Sequence, residues 1–342
     1  RLNREDMTMK MLGVSQKLPY PGKRALREQV AAKDAESVGF GLRETTNRVV
    51  RDVKLAYFDL ALAEESIRQL QSNRQILEQF LRIAEGRYAV GQATQAEVFK
   101  AQTQLSRMSE ELLRMERDRP VMEAELLRLL GRRGTAAPIV ADLPQMGDAA
   151  FNLEALQEAA LRERPQLLGL QSVIDRSSKT LELARKEANP DFDLRFSYGQ
   201  RERDLAGMPR EDLFSVTVAM NLPLWRNDKI EPRIAEAQAM HEQTLEVQRA
   251  QQNEVLAKLR QQVAIAEQAR KSVRLYQTGI LPQARLGVEA ALSGYKVNRV
   301  DPLMLLDSQM TLFNYEISRA KELVNFNKAL AEIELLTGKR TD

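Results

Sequence analysis

At 342 residues, with 29% charged residues, 5% aromatics and a net charge of +3, the chain has the composition of long helices and coiled coils rather than of compact globules. The absence of cysteine excludes disulfides, thiol nucleophiles and thiolate metal sites within these residues. Acids and bases are mixed along the chain, which excludes the clustered basic face of a nucleic-acid binder, and no run of eighteen apolar residues offers a transmembrane helix.

The first element expected is a strand over 7–18, on the alternation of Leu12, Val14 and Leu18. From Arg24 to Gly86 there is no proline, and only Gly39 and Gly41 interrupt a helix-favouring run. Ala63, Ile67, Leu70, Arg74, Leu77, Leu81, Ala84 and Tyr88 step by alternating fours and threes, the spacing of a coiled coil, with Arg74 the one polar member. Sixty such residues of helix would span about 90 Å. The run breaks at Val90-Gly91-Gln92-Ala93-Thr94. Gly91 is placed to adopt a left-handed conformation, and Thr94 to cap the next helix in a capping box with Glu97. Val98, Ala101, Leu105, Met108, Leu112, Met115, Arg119, Met122, Leu126 and Leu129 continue the same spacing, broken only by Arg119. Two long helices joined by so few residues lie antiparallel, giving a helical hairpin over 24–131.

A turn-rich linker leads to short helices within 153–187, the second opened by Pro165. Asn189-Pro190 ends helix, and the period changes to two over a β-hairpin at 191–223. Phe192, Leu194, Phe196 and Tyr198 alternate with Asp193, Arg195 and Ser197. Phe214, Val216, Val218, Met220 and Leu222 then alternate with Ser215, Thr217, Ala219 and Asn221. A second long helical hairpin is expected over 230–337, its tip at Lys296 to Pro302 carrying Asn298 and the candidate cap Asp301.

The chain is internally duplicated. Residues 88–131 align without a gap on 295–338: Tyr88 falls on Tyr295, Val90 on Val297, Gln102 on Gln309, Leu105 on Leu312 and Gly131 on Gly338. VSQKLP ending at Pro19 likewise matches VAMNLP ending at Pro223. A period of about two hundred residues is too long for a solenoid and marks a duplicated domain. The repeats are read as 1–147 and 148–342. The first begins late, lacking the opening strand of its β-hairpin, so a signal sequence and more of the repeat are expected upstream.

Alternation alone fits either a soluble sheet or a transmembrane barrel with lipid on its apolar face and water on its polar face. The long helices offer no compact core for the strands to cover, which favours the barrel. Four strands cannot close one, so several chains must combine. Phe214, Val216, Val218 and Met220 are then lipid-facing, and Ser215, Thr217 and Asn221 lumen-facing. Tyr20 and Trp225 sit just past strand ends, a placement that fits interfacial aromatics and ordinary packing at a strand–helix corner equally well.

These features resemble the TolC-like outer-membrane efflux factors, nearest to the branch serving heavy-metal and drug pumps. The resemblance rests on SQKLPYPGKR at the strand exit, GRYAVGQATQAEVFKAQTQL at the first tip, RPQLLGLQSVIDRSSKTLELARKEANPDFDL before the third strand, GYKVNRVDPLMLLDSQ at the second tip and the closing ELLTG. It implies a mainly helical fold with transmembrane β-strands, in which a homotrimer shares one β-barrel in the outer membrane and one helical tunnel in the periplasm. It also implies passive conduction of metal ions or small toxic molecules, with a periplasmic adaptor docking at the tips and an inner-membrane pump supplying energy. Gly91, Thr94, Asn298 and Asp301 are the candidate adaptor contacts. Asn298-Arg299 stands where the first tip has Gly91-Gln92, a departure between the two tips.

No residues point to catalysis, a metal site or a cofactor. His241 is the sole histidine, Met108, Met115 and Met122 lie on the helical stripe, and pairs such as Glu64-Glu65 and Glu110-Glu111 read as solvated helix faces. The competing reading is a soluble structural coiled-coil scaffold without transport function.

Overall fold

The computed structural model describes residues 9–132, 138–147, 151–203, 208–297 and 299–339. The elements in chain order are β1 (Met9–Leu18), α1 (Lys23–Ala89), α2 (Gln95–Leu129), α3 (Leu153–Glu163), α4 (Pro165–Lys186), β2 (Phe192–Arg201), β3 (Leu213–Met220), α5 (Glu231–Leu275), α6 (Leu281–Lys296) and α7 (Pro302–Thr337). The chain divides into two compact units, Arg1–Gly41 with Gln166–Gln251, and Leu42–Pro165 with Gln252–Asp342.

In the first unit, β1, β2 and β3 form an antiparallel sheet in that order. The ladder is continuous: Val14 pairs with Phe196 and Phe196 with Val216, while Leu12 pairs with Tyr198 and Tyr198 with Phe214. Residues directly opposite one another share a face, so the apolar alternation seen in each strand becomes one apolar surface. β3 ends at Met220, two residues short of the expected strand, because the chain turns at Leu222-Pro223, where proline has no N–H to extend a ladder.

In the second unit the core is a helix–helix seam. Leu70, Leu77 and Phe80 of α1, Ala101, Met108 and Leu112 of α2, Ala291 and Tyr295 of α6, and Leu305, Leu306 and Phe313 of α7 form one buried cluster. The 3–4 spacing dictates this, since it places an apolar stripe along each helix that only another stripe can cover. Three ion pairs join α1 to α7 along the solvent edge: Arg51 to Glu332 at 2.6 Å, Lys328 to Asp59 at 2.5 Å, and Lys54 to Glu334.

The expected uninterrupted helix from 230 is broken. A π-helical turn at Arg226–Ile230 precedes α5, and another at Tyr276–Ile280 separates α5 from α6. Pro282 explains the second in part: without an N–H it leaves the carbonyl four residues earlier without a helical donor, and the ladder shifts. Both halves of the duplication end alike, with Gly131 at φ +67 and Gly338 at φ +72 closing α2 and α7. Among the described residues no helix is long and apolar enough to cross a membrane.

Candidate membrane sheet and helical tips

The sheet carries its apolar face uncovered. Leu12 is 75% exposed, Phe214 79% and Val216 64%, and Val14, Phe196 and Val218 are likewise open. The ring of Tyr198 lies 5.0 Å from that of Phe214 on the same face, its hydroxyl donating to the Asp212 carboxylate. Burying such a surface in water-free surroundings gains roughly 25 cal/mol per Å², so a contiguous face of this size marks a contact with lipid or another chain. The opposite face is polar. Gly13, Ser197 and Ser215 form one row, Ser15, Arg195 and Thr217 the next, and Lys17 stands opposite Asp193. The outer edges of β1 and β3 have no ladder partner among the described residues, and an open edge is a template for another strand.

Asn221, expected on the polar face of the strand, lies one residue beyond β3 and serves a different purpose. Its side-chain oxygen accepts from the Asp191 N–H at 2.7 Å, and its own N–H donates to the Asp191 carbonyl at 3.1 Å. Asp191 is the centre of a clamp the sequence reading missed. Its carboxylate accepts from the Tyr20 N–H and from the Lys23 ammonium, both at 2.8 Å, and Lys23 also donates to the Asn189 carbonyl. Lys23 is buried. Its ammonium, followed by the Tyr20 N–H, holds the Asp191 carboxyl below the usual carboxylate range against the opposing effect of partial burial. Gly22 at φ +87 makes the turn from β1 into α1 that brings Lys23 to this position. The clamp thus ties the ends of β1, β2 and β3 together. The one available sequence signal was a lysine directly after Pro21-Gly22 and an aspartate directly after Asn189-Pro190.

At the first tip, α1 closes in a Schellman motif. Gly91 adopts φ +73, its N–H bonds to the Tyr88 carbonyl at 3.0 Å, and the Gln92 N–H reaches the Arg87 carbonyl at 2.8 Å. A β-carbon at Gly91 would meet nothing within 4 Å, so the turn is exposed as well as tight. Thr94 and Glu97 form the expected capping box, with the Thr94 N–H donating to the Glu97 carboxylate at 3.0 Å. At the second tip the Arg299 N–H closes on the Gly294 carbonyl at 2.8 Å, and Asp301 caps α7 by accepting from the Leu303 N–H at 2.8 Å. Asn298 lies outside the described residues.

Tyr295 is 5% exposed, packed 6.0 Å from the Phe80 ring with the Arg87 guanidinium 4.8 Å above it. Its repeat counterpart, Tyr88, is 48% exposed. Beside both tips lies a cleft of 530 Å³, lined by Ile76, Phe80, Ile83, Tyr295, Leu305 and Gln309.

The polar interruption at Arg119 is satisfied rather than solvated. It pairs with Glu64 at 2.8 Å and Glu123 at 3.0 Å and donates to the Ile139 carbonyl, while Glu123 accepts from the Ile139 N–H. The ion cluster therefore fixes the backbone at Ile139 against the helical hairpin. His241 shares a 2.8 Å hydrogen bond with the Ser177 hydroxyl. No cluster of three or more histidine, cysteine, aspartate or glutamate side chains able to hold a metal occurs among the described residues. Met108 is buried in the helical core, and Met115 packs against it.

Residues 4–132 and 156–339 match the family model for outer membrane efflux proteins. The cobalt-zinc-cadmium resistance protein CzcC of Cupriavidus metallidurans is 22% identical over 328 residues, a span of 93% of this chain and 74% of that protein. Two solved structures superpose over nearly the whole chain. The outer membrane protein VceC of Vibrio cholerae gives a TM-score of 0.82 at 16% identity, covering 97% of this chain and 80% of its own. The CmeC outer membrane channel of Campylobacter jejuni also gives 0.82, at 13% identity, covering 98% and 72%.

Proposed function

The chain belongs to the outer membrane efflux protein family, and on that premise we propose how its own residues build and use the duct. It acts as the outer-membrane channel of a tripartite efflux system, as a homotrimer working with a periplasmic adaptor and an inner-membrane pump. Three copies of the sheet close one barrel, and the helices form the periplasmic tunnel. Phe214, Val216, Val218 and Met220 meet lipid, and Ser215 and Thr217 meet the water-filled lumen. The observation that carries this assignment is the uncovered apolar face made by the aligned rows Leu12–Tyr198–Phe214 and Val14–Phe196–Val216. A soluble scaffold would leave that face in water.

The adaptor docks at the tips, using Gly91, Thr94, Asn298 and Asp301, with the neighbouring apolar cleft giving it side-chain-sized room. Residues 1–147 and 148–342 act as two copies of one strand-and-hairpin unit. The chain carries out no catalysis: transport is passive, and the cargo is a divalent transition-metal ion or a small toxic molecule. Kinship with a cobalt-zinc-cadmium resistance protein makes metal ions the first cargo to test. In cells lacking the native gene, cobalt, zinc and cadmium should accumulate and growth in their presence should fall, with both restored by the wild-type gene. Unchanged metal content alongside accumulation of organic toxicants would move the cargo to the second class, and no change in either would contradict the role.

A further inference from the structure

The charges on the polar face of the sheet are unevenly matched. On that face β2 carries Asp193, Arg195 and Arg201, β1 adds Lys17 directly opposite Asp193, and β3 adds no charge between Leu213 and Ala219. The row of Lys17 and Asp193 is balanced. Arg195 has only Ser15 and Thr217 beside it, and Arg201 stands opposite Met9. Neither guanidinium has an ion-pair partner among the described residues. The acids near Arg201 are engaged elsewhere. Glu202 pairs with Lys10 at 2.8 Å, and the Asp212 carboxylate accepts from the Tyr198 hydroxyl and the backbone N–H of Arg201.

Arg195 and Arg201 lie on one strand, six residues apart, a separation of about 20 Å along it. A threefold barrel repeats each of them three times, giving two cationic rings at different heights above one balanced row. Such rings, in a water-filled lumen with low-dielectric walls, concentrate anions and deplete cations.

We propose that Arg195 and Arg201 make the barrel an exit that favours anions, with these two side chains setting the charge preference. The inference rests on the lumen reading above and adds the charge of what passes. Repulsion scales with the product of the charges, so a bare divalent cation is disfavoured more strongly than a monovalent one. The cargo class that fits is an anionic small molecule, or a metal ion carried inside an anionic chelate. Guanidinium stays protonated across the physiological range, so the preference does not titrate away.

Ser197 stands between the two arginines on the same strand face, opposite Gly13 and Ser215, and the chain has no cysteine of its own within these residues. Ser197→Cys therefore places a small thiol between the rings. The full-length trimer in detergent would be treated with two methanethiosulfonate reagents, one ending in sulfonate and the other in trimethylammonium. Their rate ratio on a free thiol is the reference, and taking a ratio cancels the effect of the same field on the thiol's own pKa. Relative to that reference, the sulfonate reagent should be favoured severalfold. The excess should shrink as added salt shortens the screening length, and should vanish with Arg195→Gln and Arg201→Gln together. Ser215→Cys, opposite Ser197 in the same row, should give the same result. Reaction at the reference ratio, independent of salt, would overturn the charge preference while leaving the lumen assignment intact. If neither cysteine reacts with either reagent until the protein is denatured, the lumen assignment itself fails, and the preference with it.

Discussion

Val216→Arg places a charge at the centre of the face assigned to lipid. Val216 is the fourth of eight residues in β3, in register with Phe196 and through it with Val14, so it lies at mid-height of the sheet. An arginine facing lipid near the bilayer midplane costs about 2–4 kcal/mol, and three symmetry-related copies give about 6–12 kcal/mol per trimer. The control must be chosen from the register. Thr217 stands directly opposite Arg195, so Thr217→Arg adds a like-charge pair worth up to about 1 kcal/mol. Ser215 faces Ser197 instead, which makes Ser215→Arg the cleaner substitution on the polar face. The assay is the amount of heat-dissociable trimer recovered from the outer-membrane fraction. Recovery should be near wild type for Ser215→Arg, slightly lower for Thr217→Arg and severely reduced for Val216→Arg. Equal recovery of all three, or the reverse order, would refute the assignment of the faces.

Gly91→Trp forces a β-carbon into the left-handed region at a cost of about 1–2 kcal/mol confined to an exposed turn. The trimer should survive while adaptor cross-linking and export fall, and normal values of both would make this tip only a turn. Arg119→Ala leaves Glu64 and Glu123 facing each other without their shared cation, and should cost about 1–3 kcal/mol, read as a lower denaturation midpoint; Arg119→Lys should recover part of it. The Asp191 carboxyl is depressed in the folded state, so its contribution is complete above the ordinary carboxylate range near pH 4 and is lost only as pH falls through the lower folded value. Hydrogen-exchange protection of the Tyr20 amide should therefore hold from neutral pH down through about pH 4 and collapse below it, whereas Asp191→Asn should weaken it throughout. Loss of protection above that range in the wild type would contradict the clamp.

The helices were legible because the 3–4 spacing of Leu70, Leu77, Ala101, Met108 and Leu112 is itself the packing rule that buries them. The capping box at Thr94 and the left-handed Gly91 were legible because each is decided by a few adjacent residues. The strand faces followed from a period of two, and the register from the ladder was needed only to align them. Interactions that join distant residues were hidden. Lys23 and Asp191 each read as an ordinary surface charge until the fold brings them to 2.8 Å across 168 positions. Asn221 fits the polar alternation, yet the chain turn at Pro223 diverts it to Asp191. The π turn at Tyr276–Ile280 was hidden because helix propensity continues through it, while the hydrogen-bond ladder responds to Pro282. Tyr88 and Tyr295 hold the same position in the two aligned stretches and are opposite in burial. Only the neighbour each meets separates them.

The most direct test of the account is the mass of the full-length protein extracted from the outer membrane in detergent, measured by light scattering coupled to size-exclusion chromatography. The account predicts three chains in one particle that requires detergent to stay in solution. A stable, detergent-independent monomer would contradict it.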